Sequence, residues 1–151
     1  MDARFHSPAG SFSLRAAALI LRDGCALLAR SDGHDCCYTV GGGVRQNEST
    51  DCAVLRECHE ETGCRYAIDR LVFVQERFYA PQGIPHHEIT FFYLMKPDGP
   101  EPGDSAATDQ RREHLHWIPL EELAAAKLVP AFLREGLQAL PAEVTHIITR
   151  E

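Results

Sequence analysis

Residues 41–64, GGGVRQNESTDCAVLRECHEETGC, constrain this chain more than any other stretch. Three glycines open it, and no Gly or Pro interrupts Ser49 to Thr62. Gly63 then stands where a left-handed helix C-cap belongs. The pattern predicts a glycine loop, a helix of about four turns and a second tight loop. On that helix Glu57 and Glu61 are four apart and Glu57 and Glu60 three apart, so the three carboxylates can share a face. Ala53, Val54 and Cys58 fall on another face suited to burial. Like charges at this spacing repel by roughly 0.2–0.5 kcal/mol per pair. Hard divalent cations such as Mg²⁺, which take carboxylate, carbonyl and water oxygens, would relieve that repulsion. For the three acids alone, a solvated acidic helix face is the plain alternative. Gly41, Gly42 and Gly43 shift the balance toward a site, because their bare backbone lets a ligand approach closely.

The spacing continues beyond the acids. Gly42, five residues, Glu48, seven residues, Arg56-Glu57, Cys58, one residue, Glu60-Glu61, one residue, Gly63 and Cys64 fill every fixed position of a known signature. In this the chain resembles the Nudix hydrolase family, with Cys58 and Cys64 as the two apolar members. Val40, Arg45 and Asn47 depart from residues common in the family (proline, an acid and glycine), and none of them lies on a metal-ligand position. Arg45 bears on how phosphate is held, and hence on substrate choice.

The resemblance implies an α/β fold, an α/β/α sandwich with a mixed β-sheet between helices, whose loop–helix–loop is the catalytic element. It implies Glu57 and Glu61 as principal ligands of Mg²⁺ (or Mn²⁺), Glu60 as a further ligand and the Gly41 carbonyl as a backbone ligand. By its register, Arg56 is expected to point away from the metal face and pair with Glu48, tying loop to helix through a bidentate fork. The alternative for Arg56 is a surface ion pair worth little. Tyr38, just before the glycines, is a candidate for stacking on a base, with a core role as its alternative. Glu113, leading the strand after a long loop, is a candidate substrate contact or general base, as Glu60 and Glu61 are for the latter role. The implied activity is hydrolysis of a diphosphate linkage in a nucleoside diphosphate joined to another group. Nucleoside triphosphates, ADP-ribose, dinucleoside polyphosphates and nucleotide sugars all qualify. Tyr79 and Pro81 lie near positions that mark two different subtypes and select neither. A non-catalytic nucleotide-sensing module is the second reading, and a merely solvated acidic helix the third.

The whole chain fits that scale. Its 151 residues are most economically one domain, able to bury about 68–70% of the unfolded surface. A 44% hydrophobic and 25% charged composition is that of a globular protein. No run approaches the ~18 apolar residues of a membrane span. MDARFHSPAGSFS lacks the layout of a signal peptide, so a cytoplasmic protein is expected. The six cysteines, without a CxxC pair, then read as reduced thiols. A net charge of −7 argues against a dedicated nucleic-acid surface, whereas a small nucleotide needs only a local pocket. A homodimer is compatible with all of this.

Residues 14–21 and 25–30 read as strands joined at Asp23-Gly24, a hairpin signal. Tyr38 to Val40 makes a short strand into the glycines. Residues 68–79 and 88–96 read as a strand pair across the PQGIP loop, 97–112 as a long polar loop, and 113–120 as another strand. EELAAAKL is expected to begin a short helix. PAFLREGLQAL, 130–140, is expected to continue as an amphipathic helix burying Phe132, Leu133, Leu137 and Leu140. The tail VTHIITRE is open between a last strand and a loose end.

Overall fold

The computed structural model describes residues 1–31, 33, 35–102 and 113–151. Its centre is β2 (Gly10–Leu19), which pairs parallel with β7 (His86–Met95) along one edge. On its other edge β2 meets first β1 (Arg4–Ser7) and then β5 (Cys36–Gly43), both antiparallel. Beyond β7 lie β6 (Ile68–Tyr79), antiparallel to it, and the tail strand β10 (Thr145–Arg150), parallel to β6. Beyond β5 lie β4 (Cys25–Ser31), β3 (Leu21–Arg22) and β8 (Glu113–Pro119). The sheet is therefore mixed.

The run AAALIL in and after β2, residues 16–21, is apolar at successive positions because both of its faces are covered. Ala17 and Leu19 face a core with Leu28, Phe73, Phe92, Leu128 and Leu133. Ala16, Ala18 and Ile20 face a second core with Val40, Ala53, Val54 and Cys58. The three small residues let strands and helix close in, and Ala16, Ala18 and Ile20 are all at most 4% exposed.

The helix α1 (Thr50–Thr62) covers the second core with the expected residues, Ala53, Val54 and Cys58. Its start is tied to β7 by a hydroxyl pair, Thr50 Oγ1 to Tyr93 Oη at 2.6 Å. Gly63 ends it at φ 73°, donating its N–H to the His59 carbonyl at 3.0 Å. The strands predicted over 68–79 and 113–120 form nearly as read. The tail resolves its two alternatives as β10.

Three expectations change. Gly41 to Gly43 are not a loop: they are the last residues of β5, paired with Ala17, Ala16 and Arg15. The loop follows them, and Asn47 there adopts φ 63°, a conformation that asparagine tolerates better than most residues. EELAAAKL does not form an α-helix. Leu120–Glu122 makes one 3-10 turn, and β9 (Lys127–Val129) pairs with the edge of β5, so tertiary pairing overrides alanine's helix propensity. Finally, only α2 (Leu133–Gly136) is α-helical in 130–140, since Gly136 weakens a helix interior and Pro141 bars continuation. Its apolar pattern is nonetheless satisfied: Leu133 and Leu137 are buried, with Phe132 and Leu140 packed against them. The helical layer on that side of the sheet is thus slight, while α1 supplies the layer on the other. The long loop read over 97–112 lies outside the described residues from 103 onward.

All six cysteines are free thiols. Cys52 is exposed on α1, whereas Cys58 is fully buried and burial pushes its thiol up to about 12. At mildly alkaline pH, Ellman's reagent should modify Cys52 in the native protein and reach Cys58 only after denaturation. Peptide mapping that finds native Cys58 labelled as fast as Cys52 would contradict the packing of α1.

Candidate functional site

The absence of a side chain at Gly42, near the end of β5, determines how closely Glu57 of α1 approaches. A Cβ on Gly42 would sit 2.5 Å from the Glu57 carboxylate carbon, and one on Gly41 2.4 Å from the Ala16 carbonyl oxygen. Two acids of α1 therefore come down onto bare backbone. Glu57 lies against Gly42, and Glu61 receives the Gly41 N–H at 3.4 Å on both oxygens. Glu60 turns outward, with its side chain 41% exposed against 14% for Glu57.

Arg56 organises the charges. Its Nε and Nη2 fork onto Glu48 at 2.8 and 2.9 Å, and Nη2 also donates to the Gly43 carbonyl at 3.0 Å. The expected pairing with Glu48 is present, so loop and helix are joined. The expectation that Arg56 points away from the acid face is corrected. Its Nη1 donates to Glu57 and lies 3.4 Å from Glu60, because a long side chain folds across the helix to reach one turn onward. The fork holds the Glu48 carboxyl down to about 2, and the Arg45 backbone N–H adds to this at 2.8 Å. Glu57 shifts upward: desolvation outweighs the pull of Arg56. Arg45 reaches Glu60 at 3.3 Å from an exposed position.

Guanidinium groups thus occupy several of the carboxylate oxygens. Among the described residues, no three His, Cys, Asp or Glu side chains stand together closely enough to hold a metal ion as arranged. The donor chemistry still suits a hard divalent cation, since Glu57 and Glu61 present only oxygens beside a backbone with no side chains in the way. Engagement of a cation would require Glu57 to turn from Arg56.

Next to this cluster opens a cavity of about 370 Å³ over β2, β5, β6 and β7. Tyr38, 40% exposed, lines it, as do Arg15, Arg77, Tyr79, Glu88 and Thr90. The sequence reading found Tyr38 but missed Arg15, Arg77 and Glu88. A signal was available: Ser11, Ser13 and Arg15 occupy the same face of β2 as buried Ala17 and Leu19, so a polar patch must replace the core at that end. Glu113 opens β8, in register with Ser31, and its side chain lies outside the described part of the structure.

The NUDIX domain model matches residues 12–140, most of the chain. The chain belongs to the Nudix hydrolase family. It is accordingly a pyrophosphohydrolase by family. A MutT Nudix hydrolase from Burkholderia pseudomallei superposes with a TM-score of 0.62 at 29% identity, over 73% of this chain and 84% of that one. The ORF135 protein of E. coli gives 0.62 at 25% identity, over 92% and 100%. A MutT protein of Bacillus halodurans gives 0.67 at 16% identity, over 91% and 89%, a likeness of fold alone. No curated protein matches the chain by sequence. No helix among the described residues of this Nudix protein is long and apolar enough to cross a membrane.

Arg56→Lys keeps the charge but cannot fork onto Glu48 while reaching Gly43 and Glu57. Hydrogen bonds to charged groups are worth roughly 1.5–3 kcal/mol each, so urea unfolding should show a loss of about 1–3 kcal/mol. A change within error would show that the fork does not hold the loop to α1.

Proposed function

We propose that this Nudix protein cleaves the diphosphate linkage of a nucleoside diphosphate joined to another group, with Mg²⁺ or Mn²⁺ as its cofactor. The observation that carries the reading is the descent of Glu57 and Glu61 from one helix face onto the glycine backbone of β5, beside a nucleoside-sized cavity. Diphosphate hydrolysis needs water placed in line with phosphorus and stabilisation of the charge on its oxygens. A bound divalent cation supplies an acidified water and a clamp on those oxygens.

The chain's own residues supply the rest. Glu57 and Glu61 are the principal ligands in this reading, with Glu60 and the Gly41 carbonyl as further ones. Gly41 and Gly42 leave the space that such ligands need. Arg56 and Glu48 hold the loop over residues 44–47 against α1, so the carboxylates keep their height above β5. Arg45, exposed and only loosely joined to Glu60, is free to turn toward phosphate. Tyr38 offers a ring to the nucleoside at the far side of the cavity.

Glu61→Gln tests this directly. The variant should fold as the parent does, with an unchanged circular dichroism spectrum, and lose at least about 100-fold in Mg²⁺-dependent turnover. The substrate panel should span nucleoside triphosphates, ADP-ribose, dinucleoside polyphosphates and nucleotide sugars, with phosphate, pyrophosphate and nucleoside monophosphate read separately. Near-parental turnover by Glu61→Gln would overturn the ligand assignment. Nucleotide binding without turnover of any panel member by the parent protein would favour nucleotide sensing.

A further inference from the structure

We propose that Arg15 is the phosphate anchor of this site, gripping the substrate at the seam between the cavity and the Glu57 carboxylate while the nucleoside lies toward Tyr38. The inference rests on the hydrolase reading for its substrate class but on separate residues for its geometry. Arg15 pairs in register with Gly43 on one side and Thr90 on the other. One step along β5, Gly42 touches the Glu57 carboxylate. The Arg15 side chain lines the cavity, and its charge reaches Glu57 across the side-chain-free backbone of Gly42 and Gly43.

Among the described residues two arginines line the cavity, and one of them is already engaged. Arg77 is committed: its Nε and Nη2 fork onto Glu151 at 2.6–3.2 Å, and its guanidinium lies 4.3 Å above the Tyr79 ring. His86 stacks on Tyr79 as well, with ring centroids 4.9 Å apart, which leaves Tyr38 the more open aromatic surface. Arg15 has a single ion-pair partner among the described residues, Glu88 at 3.9 Å, beyond hydrogen-bond reach. The Arg15 side chain is 36% exposed, and such a pair contributes little. A phosphate oxygen, able to take a two-pronged fork, out-competes that contact. Glu88 keeps a partner when Arg15 leaves, since the Ser13 hydroxyl donates to it at 3.2 Å. Glu88 also repels phosphate from the interior of the cavity, so the anionic end of a nucleotide is directed to the Arg15 end and the neutral nucleoside inward.

The test measures binding and turnover of the full-length protein with Arg15→Gln and Arg15→Lys. Calorimetry with α,β-methylene-ADP and Mg²⁺ should show at least about tenfold weaker binding for Arg15→Gln, and Arg15→Lys should recover part of the loss. Steady-state assays on the turned-over panel member should place the loss mainly in KM. Equal affinity for the analogue in the parent and Arg15→Gln would overturn the proposal. If the parent binds the analogue but hydrolyses nothing, the hydrolase reading fails while the weakened binding of Arg15→Gln still supports the anchor. If the parent does not bind the analogue, the anchor falls. Should Arg15→Gln fail to fold, Arg15→Lys decides alone, since undiminished affinity without the fork would also refute it.

Discussion

The contact on which the site depends is the approach of α1 to the backbone of β5. It is possible because Gly42 carries no side chain, while Gly41 lies against β2 for the same reason. A methyl group on Gly42 would collide with the Glu57 carboxylate, and one on Gly41 would collide with β2 itself. Gly41 therefore closes the sheet and Gly42 admits the acid. Ala16 and Ala18 continue the economy of volume beneath them, so that α1 packs at short range. Carboxylates held at that distance from peptide groups are partly desolvated, which is why Glu57 shifts upward even with a guanidinium beside it.

Arg56 resolves the electrostatic problem that this closeness creates. Three acids on one helical face repel each other, and removing them from water raises the cost. A single forked cation meets Glu48, Glu57, Glu60 and the Gly43 carbonyl together. The loop between β5 and α1 is thereby fastened to the helix it precedes. A divalent cation arriving at Glu57 would take over part of the neutralisation, leaving Arg56 to its structural pairing with Glu48.

Much of this was legible in the residues. Ser49 to Thr62 had to be a helix, and its buried stripe followed from spacing alone. The Arg56–Glu48 pair could be read from the need to anchor a loop. Other features were hidden for identifiable reasons. The glycines looked like a loop because glycine is commonest in turns, whereas here it serves close approach between strands. AAAK looked helical because alanine favours helices, yet the vacant edge of β5 offered β9 a ladder. Arg15 and Glu88 were hidden because they lie 73 residues apart in sequence and meet only where β2 runs parallel to β7.

By itself the sequence determined the helix that carries the three acids: local spacing decides which side chains share a helix face, and the cap residues decide where that helix ends. It also pointed to a strand over the apolar run of residues 14–21, which β2 and the residues after it bear out. Only the tertiary structure decided where the glycines sit, which strand edge β9 joins, and which cations face the cavity. Those outcomes depend on contacts between segments far apart in the chain, and no local pattern encodes a distance across a sheet.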